Sequence, residues 1–411
     1  MSSKYLLNLE RIEFLLDYYK LSKKDFIKLL NEKKYLKQLT YNDLTKEVST
    51  STLKRIDSIF NKGISWYINK NKPTKIQSSS IFYRKNKFNS NKLNYADIKI
   101  ISKFENKRIQ FNILSKNLNI DISRKIKIYS ISECEKKVAD YFRSEFEKKY
   151  NKKINDEREY LKILYNIIED YNVLIFENYE QWNVKHKSNF EGFYLKNMIV
   201  LNKQSNIRRQ IFTLMHEFAH FLLDKEEIDE DIDTSVENLE ILKIENWCNN
   251  FAFYFLLGEK YEEFESITFC KKSNNYNKKS VFNIVDATYL NSMSIYTKLK
   301  LKNKISSIDY NLLKKESDLK FNEILNLKKK EQEAKSRENT LKKLKKLNLE
   351  ITEENIKKFK SGGRLKPKFS DLFENVVNIN YSRGSINEVE LCNYLEFSKK
   401  KRENFLEGLN Y

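Results

Sequence analysis

Histidine is nearly absent from this chain, with three in 411 residues. Proline occurs twice and glycine seven times, too seldom for a collagen-like or Gly/Pro-rich disordered protein. The four cysteines, Cys134, Cys248, Cys270 and Cys392, lie far apart and form no CxxC pair. That spacing excludes a zinc ribbon and gives no sign of a disulfide framework, so they read as reduced, mostly buried thiols. No apolar run approaches bilayer length; FAFYFLL at 251–257 is among the longest. The first residues, MSSKYLLNLERIEF, carry charge where a signal peptide keeps an apolar stretch. These absences predict a soluble cytoplasmic protein with no membrane partner.

Apolar mass, by contrast, is ample. Hydrophobic residues make up 40% and aromatics 13%, which supports a sizeable core and excludes a largely disordered chain. At this length two or three domains are expected. Charge is uneven. Residues 1–130 hold 28 Lys and Arg against 11 Asp and Glu, residues 131–260 hold 18 against 25, and residues 261–411 carry +10. The basic first segment suits nucleic acid and the middle one does not. A Lys- and Asn-rich composition from an AT-rich coding sequence would give the same excess without such a partner.

Local patterns divide the chain into four stretches. Residues 1–72 read as helical: LERIEFLLDYY repeats apolar residues at helical spacing, Ser22 can cap KKDFIKLLNE, and TSTLKRIDSIF predicts a third helix with Gly63 just past its end. Pro73 and the serines at 78–80 mark a boundary, and residues 73–130 form a basic connecting segment, read as a short strand followed by a helix. Residues 131–262 open with two helices and three strand-like runs, NVLIFE, EGFYL and NMIVLN. Two apolar helices follow, NIRRQIFTLMHEFAHFLLD and LEILKIENWCNNFAFYFLLG, separated by an acidic loop over 224–240 and closed by Gly258. Residues 263–411 are helical and charged. Leu327, Ala334 and Leu341 stand seven apart there, but Glu331 and Glu338 occupy the second seam, so a solvated helix is expected rather than a coiled coil. SGGRLKP at 361–367 precedes a last helical piece, 369–408.

Two of the three histidines stand four apart, in His216-Glu217-Phe218-Ala219-His220. On a helix, positions i and i+4 share a face, so both imidazoles can converge on one ion at roughly 2.0–2.1 Å. Glu217, one position on, lies beside such an ion, where a carboxylate can take a proton from an activated water and return it to a leaving amine. The flanking IFTLM and FLL bury much of this helix, and buried histidines need partners or a metal. The pattern therefore points to zinc.

A catalytic zinc needs a third protein ligand and one open position. His186 lies in the loop WNVKHKSN and reads as an exposed loop residue. Asp224 continues the i, i+4, i+8 series, but eight residues of helix span about 12 Å, too far for one ion to bridge. It reads as a helix-end group. Glu245 sits inside an apolar helix, between Ile244 and WCNNFAFYFLL, where a charge is costly without a partner. Glu245 is the expected third ligand. Tyr194, Tyr254 and Arg208 are candidates by position for stabilising an oxyanion.

The stretch GFYLKNMIVLNKQSNIRRQIFTLMHEFAHFLL, followed by ENWCNNFAFYFLL, resembles the ImmA/IrrE family of metallo-endopeptidases. Position by position, His216 and His220 match that family's zinc-binding histidines, Glu217 its catalytic glutamate and Glu245 its third ligand. Phe251 and Ala252 match its FA pair. Ala219 and Phe218 replace the common Gly and Leu, Cys248 stands where Ala is usual, and Gly258-Glu259 replaces a Met-Pro. Longer members begin with a helix-turn-helix, of which STSTLKRIDSIFNKG keeps some character while SWYINKNKPT departs from it.

The resemblance implies an α+β, minimal zincin-like fold, with a small twisted sheet packed on the motif helix and the Glu245 helix beneath, flanked by mostly helical N- and C-terminal regions. It implies a zinc-dependent endopeptidase acting on an intracellular protein such as a helix-turn-helix repressor, in stress response or mobile-element regulation. Two other readings stand beside it. One is a DNA-binding transcriptional regulator with a protease-like sensor domain, contacting nucleic acid through the basic N-terminal region. The other is a component of a toxin–antitoxin module.

Overall fold

Short polar side chains start the helices where the sequence places them. Ser22 Oγ accepts the Asp25 N–H and Ser49 Oγ the Thr52 N–H, each satisfying one of the donors a helix leaves orphaned at its first turn. The protein is described here from a computed structural model covering residues 4–19, 21–32, 36–73, 95–150, 156–180, 188, 190–224, 237–267, 278–346, 350–353, 356, 368–397 and 403. The chain divides into two compact units, residues 1–255 with 367–411, and residues 256–366.

The first unit opens with β1 (Lys4–Leu6), α1 (Leu9–Tyr18), α2 (Lys23–Leu30), β2 (Glu47–Ser49), α3 (Thr50–Phe60), α4 (Ile64–Ile68) and α5 (Tyr95–Asn117). The strands β1 and β2 pair antiparallel, with Tyr5 opposite Val48. Local periodicity predicts only helices here, because three-residue strands distant in sequence leave no repeat to detect. The helix α5 agrees with the expected helix of the basic segment; the expected strand before it lies outside the described residues.

Next come α6 (Glu135–Lys149), α7 (Glu157–Glu169), β3 (Leu174–Asn178), β4 (Gly192–Leu195), β5 (Met198–Asn202), α8 (Ile207–Leu223) and α9 (Glu237–Leu257). The sheet runs β3-β5-β4, with β3 parallel and β4 antiparallel to β5. Nearly every strand position is buried, as in a sheet covered on both faces. Alternation assigns the faces. Leu174, Phe176, Phe193, Leu195, Met198 and Val200 join one core with the N-terminal helices. The opposite face meets α8: a Cβ on Gly192 would stand 2.6 Å from Thr213 Cγ2, so only glycine allows this approach. The strands thus lie directly against the motif helix.

The second unit holds α10 (Tyr261–Glu265), α11 (Lys278–Ala287), α12 (Ser292–Leu301) and α13 (Ser307–Lys346). Its core includes Phe264, Val281, Ile284, Ile295, Leu299 and Leu313. The helix α13 runs 40 residues and leaves Leu312, Leu319 and Leu327 exposed.

Finally α14 (Asp371–Ser382) and α15 (Glu388–Tyr394) return to the first unit, where one terminal helical piece was expected. Phe373, Val376 and Val377 complete its core. Backbone bonds pin this segment to β3: Glu177 N–H donates to Lys368 O at 3.0 Å, and Lys368 N–H donates to Glu177 Oε2 at 2.7 Å. Glu169 accepts the Asp371 and Leu372 N–H groups at 3.2 and 3.4 Å. Burial raises its carboxyl pKa to about 7, although Lys368 pulls the other way. The fold is α+β, with small sheets in a mainly helical chain.

Candidate metal centre

Asn206 begins the motif helix, its side chain accepting the Arg208 N–H, and Asp224 ends it in a left-handed conformation, φ 49°. Thirteen consecutive or near-consecutive positions between Gln210 and Leu223 are buried, His216, Glu217 and His220 among them. An aromatic cluster fixes the neighbouring helices around it. Phe142 of α6 lies 5.4 Å from Phe218 of α8 and 6.1 Å from Phe251 of α9, and Phe218 stands 6.2 Å from Phe251. Edge-on and tilted packing of this kind holds α9 at a set angle to α8. The polar ends agree: Trp247 Nε1 donates to Glu133 O at 2.8 Å, and Asn250 Nδ2 donates to Glu135 Oε1 at 2.7 Å.

That packing delivers Glu245 to the histidines. Its Oε1 is 3.3 Å from His220 Nε2 and its Oε2 is 3.5 Å from His216 Nε2, while the two Nε2 atoms are 3.1 Å apart. Burial would raise the Glu245 carboxyl, but the imidazoles beside it hold it well below the usual carboxylate range. The donor set can be tested against an ion. Tetrahedral ligands about 2.05 Å from zinc stand about 3.3 Å from one another. The three observed separations bracket that value. His216, His220 and Glu245 form the group of His, Cys, Asp and Glu side chains, among the described residues, whose ligand atoms could share one metal ion. Two nitrogens and one oxygen are also the donors that zinc accepts.

His186 and residues 225–236 of the acidic loop lie outside the described residues. Asp224 is a helix-end group: its N–H bonds back to His220 O and Phe221 O, and its carboxylate meets Arg124 Nη1 at 3.6 Å and the Tyr194 hydroxyl at 3.5 Å. Arg208 pairs with Glu157 at 2.6 Å. Tyr254 is nine residues beyond Glu245, about 13 Å along the helix. None of the three oxyanion candidates is placed at the cluster by these contacts.

Sequence reasoning missed a strap. Arg124 lies over the Phe221 ring at 4.0 Å and donates from Nη2 to Leu222 O at 3.0 Å, and Tyr129 N–H donates to the same carbonyl at 2.9 Å. A cation at a helix C-terminus opposes the negative end of the dipole. Asn172, in a left-handed conformation, holds the strap through Asp121 O and Ser123 O. Nothing in the spacing of Arg124 relative to the motif announces this.

Arg55, the arginine of the helix-turn-helix-like α3, turns back onto α2 and donates to Leu30 O, Lys37 O and Asn31 Oδ1. The positions exposed on α3 are Ser51, Lys54 and Ser58, which offer a single cation.

Among the described residues no helix is long and apolar enough to cross a membrane. No curated protein and no solved structure matches the chain. Residues 168–269 match the family Peptidase_M78, described as the IrrE N-terminal-like domain. That range runs from the end of α7 through the sheet and both site helices, so this part of the chain is a metallopeptidase-type domain of the ImmA/IrrE family.

Proposed function

We propose that the protein is a zinc-dependent endopeptidase that cleaves a specific intracellular protein, such as a helix-turn-helix repressor, in stress response or mobile-element regulation. The observation that carries this reading is the convergence of His216, His220 and Glu245 at 3.1–3.5 Å beside Glu217. His216, His220 and Glu245 would hold the zinc. The ion, when bound, lowers the pKa of a water to about 7 and polarises the scissile carbonyl. Glu217 accepts the proton of the attacking water on its carboxylate and returns it to the leaving nitrogen. Its burial, 1% exposed, strengthens these charge interactions by excluding bulk water. The matched family supports a protein substrate, and the cytoplasm suits the free thiols of Cys134 and Cys392.

The test uses the full chain and the proteins encoded beside it. The purified protein is expected to carry about one zinc by mass spectrometry. Glu217→Gln should retain that zinc and lose cleavage by about 10²–10⁴-fold. A folded protein that neither contains nor takes up zinc overturns the proposal. The alternative of a DNA-binding regulator rests on the N-terminal charge, and Arg55 weighs against α3 as its reading helix. Salt-sensitive binding of duplex DNA by the full chain would favour that alternative. A toxin–antitoxin role would show as growth arrest relieved by a neighbouring gene.

A further inference from the structure

A second concavity lies in the first unit, apart from the metal centre. It is a cleft of about 480 Å³, lined by the segment following α3, by one face of α5 and by the end of α15. This volume falls in the range of small-molecule sites, roughly 300–1,000 Å³. Three ammonium groups line it, from Lys62, Lys103 and Lys107, against a single lining carboxylate, Glu396. Lys62 is paired outside the cleft, with Glu105 at 2.9 Å. Lys103 and Lys107 share Glu396, at 2.8 and 3.5 Å. Two cations one helical turn apart with one anion between them leave an excess of positive charge.

One of the two cations is buried. The Lys107 side chain is only 7% exposed, wedged beside Phe369 and Phe373 with its ammonium donating to Tyr394 O at 2.5 Å. Burial, and after it the neighbouring Lys103, holds this ammonium below the ordinary lysine pKa, against the pull of Glu396. Two ammoniums against one carboxylate favour a further anion at this end of the cleft. One acceptor is also unmet: Gln110 Oε1, in a residue that lines the cleft, is buried without a hydrogen-bond partner. Amides of Asn61 and Asn106 add further polar lining, and Asn106 is already bonded to Asn61 O.

We propose that this cleft binds a small phosphate-bearing molecule, its phosphate beside Glu396 and balancing the remaining charge of Lys103 and Lys107. Such a ligand would bridge the N-terminal helices, α5 and the C-terminal segment. The path continues to the catalytic-type sheet, because Phe104 of α5 lies 5.3 Å from Phe176 of β3, and Phe373 of α14 lies 5.7 Å from the same ring. The proposal does not depend on peptidase activity.

The experiment titrates the full-length protein with inorganic phosphate, pyrophosphate and adenosine monophosphate at constant ionic strength. Binding is read by calorimetry and by thermal unfolding. Adenosine monophosphate at about 100 times its Kd should raise the Tm by a few degrees. Lys103→Met, at a half-exposed position, should keep the fold by circular dichroism and weaken binding at least about tenfold. Lys107→Met should do the same. Lys99→Met, on the same helix but outside the cleft, should change nothing. No shift with any of the three probes overturns the proposal. So does equal binding by the Lys99 and Lys103 variants. Binding of duplex DNA that Lys103→Met abolishes, with no response to the small probes, replaces it with a nucleic-acid surface.

Discussion

The helices α8 and α13 show how differently this chain uses the same secondary structure. The first spans 17 residues, nearly all buried, and carries the only two described histidines. The second spans 40 residues, rich in Lys and Glu, with leucines open to solvent. Helix α8 is determined by what packs around it, whereas α13 is buried at Leu313 and Leu344 near its ends and is supported between them by intrinsic propensity, with exposed ion pairs such as Lys342–Glu338 at 2.6 Å. Substitutions should therefore cost much on and around α8 and little on α13, and four measurements test this contrast.

The largest effect is expected at Phe218, which packs against Phe142, Phe146, Tyr171, Phe221 and Phe251. Phe218→Ala should lower the stability of the first unit by about 3–5 kcal/mol in denaturant titration. A loss below about 1 kcal/mol would mean that α8 is not held by this cluster.

Charge provides the second contrast. Glu338 on α13 is exposed and its carboxyl is lowered by the hydrogen bond from Lys342, whereas burial raises Glu169 from 4.5 to about 7. The native state thus binds the Glu169 proton more tightly than the unfolded chain does. Its contribution is fully present below about pH 4.5 and is lost as pH rises through about 7, for a change of about 3 kcal/mol. Stability measured at pH 5 and pH 8 should show this component, and Glu169→Gln should remove it. An unchanged pH dependence in the variant would contradict the assignment.

Gly192→Ala comes third. Its Cβ would meet Thr213 Cγ2 at 2.6 Å, and Thr213 lies one turn before His216. The expected cost is about 1–3 kcal/mol, with reduced zinc occupancy on mass spectrometry because the helix must shift away from β4. A variant with native stability and full zinc would show that the sheet does not position the ligands. Smallest of all, Leu319→Gln on α13 should change the melting profile by less than about 0.5 kcal/mol. A large loss there would reveal that this face is covered in solution.

Much of the site was legible in advance because its chemistry depends on local spacing. His216, Glu217 and His220 lie within five residues, and helical geometry alone sets both imidazoles on one face. Glu245 was legible for another reason, as a charge in an apolar helix that has to find a partner. The boundaries of α2 and α9 followed from Ser22 and Gly258, whose side chain or backbone freedom delimits helices locally. The β1–β2 pair, the Arg124 strap and the Glu177–Lys368 bonds were not legible. Each joins residues far apart in the chain, and no periodicity records such a meeting.

The sequence by itself singled out His216, Glu217, His220 and Glu245, since donor type, helical spacing and a charge within an apolar run are local properties. Only the tertiary structure decided that Glu245 reaches the histidines, because that distance depends on how Phe142, Phe218 and Phe251 pack α9 against α8. It also decided that Arg55 is turned inward and that Lys103, Lys107 and Gln110 share a cleft with the end of α15. The physical reason is the same in each case. Side-chain chemistry is written residue by residue, while burial and proximity are properties of the packed chain.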